Sequence, residues 1–262
     1  MKTFFRYIKI WLFMSKNAFL AVLLEKFSFL IFLFGKSVRF AMYFGFLYFL
    51  VHGTKTLAGY SVSQTIFFFL TFNVIDIISQ FLFRGVYRFR SLIVSGDFDL
   101  VLVKPINPLF RSLLGEADVI DLATIPPLLF AVGYLGNQLN PTLLHTSFYI
   151  LLLINGLLIA TAFHIAVLSL GIITLEIDHT VMIYRDLVSL GRFPIDIYKE
   201  PLRSILTFLI PVGIMISLPA KGLMGLVSPI GVLGSFVLGA LTLFASMRFW
   251  NFALKQYTSA SS

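Results

Sequence analysis

The chain has 262 residues, 58% of them hydrophobic and only 12% charged, with a mean hydropathy of +0.94. Soluble domains carry about a quarter charged residues, and a chain of this length cannot hide 30 phenylalanines in a water-built core, so the composition excludes a soluble globule and indicates a polytopic membrane protein. A net charge of +8 fits basic segments beside anionic headgroups rather than nucleic acid, and the lack of cysteine excludes disulfides, thiolate metal sites and cysteine nucleophiles.

Residues 1–28 carry Phe4, Tyr7, Ile8, Trp11 and Leu12 at helical spacing, with Lys2, Arg6, Lys9 and Lys16 among them. The pattern predicts a helix lying in the membrane interface, and the recurring cations argue against a cleaved signal peptide. A first span is expected at 33–52, untidy at its start because Lys36 and Arg39 interrupt the apolar run and must snorkel. A second span covers 60–82. It holds Asn73, Asp76 and Gln80 on one helix face. An acid at that depth is costly, so it marks either a functional group or a bundle interior where Asn73 or water satisfies it.

RGVYRFRSLIVSGDFDLVLVKPINPLF, Arg84 to Phe110, follows. Gly96 permits a tight turn, Asp97 suits a helix start, and Pro105 and Pro108 interrupt regular helix. The residues alone read equally as a docking surface for a cytosolic partner or as a structural turn. The third span, 112–135, opens with Glu116, Asp118 and Asp121. Acids at a helix N-terminus are favoured by its dipole, and these are also placed to pair with Arg84, Arg88 or Arg111. Pro126 and Pro127 predict a kink.

A fourth span covers 143–172, with Asn155 suited to an interhelical hydrogen bond, Gly156 to close approach and His164 to packing. A second polar cytosolic loop is expected at 176–201, with surface helix around HTVMIYRDLV. The fifth span is placed at 202–218, a re-entrant or interfacial piece at LPAKGLMGLVSP, and the sixth span at 230–249. With these spans every Lys and Arg except Lys55 and Lys221 falls on one side, which places both termini and both long loops in the cytoplasm.

SGDFDLVLVKPINPLF (Ser95 to Phe110), GRFPIDIYKEPLRSILTFLIPVGIMISLPAKGLMG (Gly191 to Gly225) and the span spacing together resemble the permease subunits of ABC-2 type ATP-binding cassette transporters, in their six-span branch. The resemblance implies an all-α polytopic membrane protein of the type V exporter kind. It implies a single permease domain over 1–262, an elbow helix at 1–28, a coupling helix within roughly Val86–Asn107, and a reduced re-entrant piece at Leu218–Pro229. It further implies two ABC ATPase subunits holding ATP and Mg, a second permease, identical or homologous, surrounding lipid, and export of hydrophobic or amphipathic molecules across a prokaryotic inner membrane. Arg84, Arg88, Arg90, Asp97, Phe98, Asp99, Leu100, Lys104 and Pro105 become the coupling-loop residues. Asp97 and Asp99 would meet cations on the ATPase, and Phe98 and Leu100 would supply apolar contact.

The chain has no GxxxxGK[ST] phosphate loop, since GKSVRF at Gly35 lacks the glycine lead, and no HExxH. Its four histidines, His52, His145, His164 and His179, stand far apart. No catalytic residue, cofactor or metal is therefore expected in this chain. The rival classes are an ion-coupled secondary transporter, which Asp76 and broken helices would suit, and a membrane scaffold without transport.

Overall fold

The computed structural model describes residues 2–54 and 56–258; Lys55, and the side chains of Lys2 and His52, lie outside the described residues. Apart from one isolated bridge between Leu57 and Tyr60, the described regular structure is helical. In chain order it comprises α1 (Lys2–Leu24), α2 (Lys26–Thr54), α3 (Val62–Leu82), α4 (Arg84–Tyr87), α5 (Phe89–Val94), α6 (Asp97–Val103), α7 (Pro108–Leu113), α8 (Val119–Gln138), α9 (Leu143–Thr174) and α10 (Ile177–Ser189). Two short 3-10 turns precede α11 (Leu202–Ser204), which continues as a π-helical turn, Ile205–Leu209. A second π-helical turn, Gly213–Ser217, leads into α12 (Leu218–Leu223), and α13 (Pro229–Gln256) ends the fold.

Several boundaries follow from local chemistry. Ser61 and Gln64 form a capping box that starts α3. Thr142 and Ser228 cap α9 and α13 with their hydroxyls. Asp118 accepts the amide protons of Ile120 and Asp121 at 2.8 and 3.3 Å and so starts α8. The expected third span therefore begins later than 112: α7 ends at Leu113, the chain turns, and one continuous helix then runs through Pro126 and Pro127.

Among the described residues, five helices are long and apolar enough to cross a membrane: Phe4–Leu24, α3, α8, α9 and α13. The segments Leu202–Leu209 and Gly213–Leu223, bent by 77°, make a sixth if taken together. This set includes α1, expected to lie in the interface, and does not include α2, which contains the expected first span and several of whose side chains, among them Phe44, Leu47 and Leu50, lie outside the described residues. Contacts tie α1 to one end of the bundle. Arg6 donates to the Pro105 carbonyl at 3.0 Å, the Tyr7 hydroxyl accepts from the Asn107 amide at 3.1 Å, and Ser15 accepts from the Ala117 amide at 3.2 Å. Trp11 meets Phe81 in the last turn of α3. All these partners sit at the end of the bundle that carries α4–α7.

The largest departure concerns 176–218. The segment expected as a polar loop is largely helical and makes contacts from one end of the bundle to the other. At the α4–α7 end, Asp178 faces Arg90 at 3.5 Å. Farther along, the Tyr184 ring packs on His164 of α9 at 4.7 Å, and Arg192 lies over Phe72 of α3. At the opposite end, Asp196 reaches Tyr60, just before α3 begins. The expected fifth span, 202–218, is not one straight crossing. It bends around Pro211, and Gly213–Leu223 returns along α9, with Met215 beside Gly156, Gly222 beside Phe148 and Gly225 against His145. The bend thus lies within 202–223, ahead of most of the expected re-entrant piece Leu218–Pro229.

Candidate functional site

The basic loop is built inward on one face and outward on the other. Gly96, with φ +77°, reverses the chain before α6. Asp97 is the first helical residue, and its carboxylate accepts from the Ser95 hydroxyl at 2.7 Å. Phe98 is fully buried and makes edge-to-face contacts with Phe89 and with Tyr257 beyond α13, each at 5.1 Å. The expectation that Phe98 is an outward apolar contact is corrected: it anchors α6 to the permease itself. Leu100 and Val103 do face outward, 55% and 80% exposed, beside Asp97 and Lys104. Burial, and then the neighbouring Asp99 carboxylate, push the Tyr257 hydroxyl up to about 12.

Charge pairs tie this loop to the helices. Arg84 meets Asp118 at 3.2 Å and Arg88 meets Glu116 at 2.6 Å. Asp121 pairs with Lys36 of α2 rather than with an arginine, and Arg111 lies beside Gly115. Arg90 and Asp178, both largely exposed, contribute little stability but join α5 to α10. The Pro105 carbonyl, through Arg6, holds α1.

At mid-depth a cavity of about 390 Å³ opens between α2, α3 and α10. Asn73 and Asp76 line it, together with Arg39, Tyr43, Phe72, Arg185, Asp186 and Arg192. The expected polar face of α3 divides: the Asn73 amide donates to the Phe69 carbonyl of its own helix at 2.7 Å, whereas Asp76 bonds to Gln80 and sits in the field of Arg185, Arg39 and Lys36. Arg185, Asp186 and Arg192 were not among the expected site residues because 176–201 read as a loop, and Arg39 was not because it read as a snorkelling cation at the start of the first span. A signal was present. Ile177, Val181, Tyr184 and Val188 are buried at helical spacing, and Asp178, Met182, Arg185, Ser189 and Arg192 repeat on another stripe of the same period.

Asn155, fully buried, donates to the Ser235 carbonyl of α13 at 2.9 Å and so makes the expected interhelical bond, away from the cavity. His164 is buried among Phe83, Tyr87 and Tyr184, with Nδ1 at 2.8 Å from the Ala160 carbonyl. At the far end Asp196 gathers three elements: Lys221 at 2.6 Å, Arg203 at 2.8 Å and the Tyr60 hydroxyl at 2.9 Å. Burial alone would raise this carboxyl. The hydrogen bond and charge of Lys221, the Tyr60 hydroxyl and the charge of Arg203 outweigh it and hold the group below the usual carboxylate range.

The site thus joins a two-faced helix at a basic bundle end, a polar cavity among apolar helices and a bent helical pair at the other end. No curated protein and no solved structure gives a significant match to the chain. The model of the ABC-2 family transporter proteins matches residues 37–261, nearly the whole length, and the chain belongs to that family.

Proposed function

We propose that this ABC transporter permease forms one half of the membrane pathway of an ATP-driven exporter. A second permease, identical or homologous, would supply the other half, and two ATPase subunits would hold ATP and Mg. The observation that carries the reading is the build of α6. Its inner face is locked to the permease through Phe98 and Val101, while Leu100 and Val103 stand exposed between charged residues. An exposed apolar pair on a short, braced helix is what a partner's cleft can grip.

The topology that fits the contacts has six crossings: α2, α3, α8, α9, residues 177–192 and α13. In it α1 lies in the interface, and 202–223 dips in from the far side and returns. Lys199 and Arg203 then move to the far side with Lys221, yet the basic excess stays at the α4–α7 end. The positive-inside rule makes that end, and both termini, cytoplasmic. ATP-driven closure of the ATPases would displace α6. The shift would reach α13 through Phe98 and Tyr257, α8 through Arg84–Asp118 and Arg88–Glu116, and 177–192 through Arg90–Asp178. The cavity, bounded by α2, α3 and this last segment, would change its exposure and release hydrophobic or amphipathic cargo outward.

The test is copurification from native membranes followed by ATPase assay in lipid. Leu100→Asp with Val103→Asp should lower ATPase recovery about tenfold or more at unchanged permease level. Undiminished recovery would remove α6 as the docking element. If the wild-type chain retains no ATPase, and uptake follows a proton gradient, the secondary-transporter reading replaces this one.

A further inference from the structure

The cavity between α2, α3 and α10 holds more positive charge than its own carboxylates neutralise. Arg39, Arg185 and Arg192 face Asp76 and Asp186 across it. Among the described residues, none of these three guanidinium groups lies within ion-pair distance of a carboxylate. A guanidinium stays protonated even when buried, so deprotonation cannot relieve the excess.

Arg192 is positioned rather than loose. Its Nη1 donates to the Tyr43 hydroxyl at 3.2 Å, and its guanidinium lies 5.2 Å from the Tyr43 ring centre and 5.6 Å from that of Phe72. This leaves its other N–H donors available in a fixed fork. Tyr43 in turn stacks on Phe69 at 4.9 Å, nearly parallel. The site therefore combines cations with an aromatic wall in a volume of about 390 Å³, within the range of small-molecule sites. Planar guanidinium groups recognise oxyanions in bidentate fashion, and the wall suits hydrocarbon.

We propose that this cavity binds an anionic amphiphile, with a phosphate, sulfate or carboxylate head held by Arg39, Arg185 and Arg192 and an apolar chain laid along Phe69 and Phe72. Asp76 competes with the ligand for the same arginines and keeps its affinity low enough for release. A resident anionic phospholipid and an exported amphiphile share this chemistry. Calling the ligand cargo rests on the exporter reading; the binding itself does not.

The experiment uses the purified full-length permease without ATPase, in nanodiscs of zwitterionic lipid, and measures binding of dodecyl phosphate against dodecylphosphocholine. Dodecyl phosphate should bind at least about tenfold more tightly. Arg185→Gln and Arg192→Gln should each weaken it about tenfold, the equivalent of one charge-assisted hydrogen bond. Asp76→Asn should strengthen it several-fold, a gain that misfolding cannot mimic. Equal affinity for the two headgroups, or affinities that none of these variants moves, would overturn the proposal. Lipid extraction identifies the source. Phosphatidylglycerol retained by the purified protein and displaced by dodecyl phosphate marks a resident lipid, and its absence beside tight dodecyl phosphate binding marks a free amphiphile. Because no ATPase is present, failure of this site leaves the coupling role of α6 standing, and failure of ATPase docking leaves the binding result standing.

Discussion

Gly156 marks where α9 meets the returning arm of the bent pair. A Cβ added there would run into the Met215 carbonyl and the Ile75 side chain. The carbonyl is backbone and cannot rotate away, so Gly156→Ala must push 213–217 off α9. The expected loss is about 1–3 kcal/mol, the usual cost of overpacking, seen as a lower melting midpoint in detergent. Gly133→Ala, whose Cβ would meet nothing within 4 Å, should leave that midpoint nearly unchanged; equal shifts for the two would remove the close approach. The small residue beside Asn155 was legible in the sequence, because a Gly–Asn pair inside an apolar run signals helix contact. The partner was not, since Met215 is distant in the chain. For the same reason the shared face of Asn73, Asp76 and Gln80 could be read, but not that Asn73 turns to its own backbone while arginines from α2 and α10 surround Asp76.

At the scale of elements, hydropathy gave no sign of the bend in the expected fifth crossing, for an identifiable physical reason. Residues 202–218 are as apolar as a span, and hydropathy records composition, not direction. Pro211 supplies no amide proton, and with π-helical turns on both sides the chain bends there by 77°. The segment 177–192, which packs along the bundle, is amphipathic because one of its faces lines a polar cavity. Asp196 fastens the bent pair by holding Arg203 on one arm and Lys221 on the other. A carboxyl whose folded pKa lies below its unfolded value adds stability above the ordinary carboxylate range and loses it as pH falls through the folded value. Acidification below that range should therefore loosen 202–223, and Asp196→Asn should loosen it at neutral pH. Deuterium exchange, corrected for intrinsic rates, should rise across 202–223 in both cases and stay level in α13. Exchange unchanged in the variant would show that packing along α9 holds the arms without the charge knot. Tyr257→Ala offers a second test at this scale, because it removes the edge-to-face partner of Phe98 and empties the site between α6 and α13. It should lower transport per ATP hydrolysed while Tyr257→Phe, which keeps the ring, should not; equal ratios would separate α6 from α13.

For the whole molecule, the sequence predicts an even number of crossings from its charge bias, and the proposed topology keeps that bias, because moving Lys199 and Arg203 to the far side leaves the basic majority at the end that carries α4–α7. What composition could not supply was the assignment of individual segments, since α1 and the bent pair are both apolar enough to cross, and the proposed topology lays the first flat and turns the second back. The absence of native cysteine makes this directly measurable. Leu100→Cys and Lys199→Cys both place a thiol at an exposed position, at opposite ends of the bundle. In intact cells an impermeant maleimide should label Lys199→Cys and spare Leu100→Cys, which should react only after the membrane is opened. The loop reading of 176–201 demands that the two behave alike, because it puts both in the cytoplasm. Protection of Lys199→Cys in intact cells, with labelling only after lysis, would return 177–192 to the cytosol. It would leave the three arginines of the cavity without a membrane around them, and the pathway between α2, α3 and α10 would then have to be sought elsewhere in the bundle.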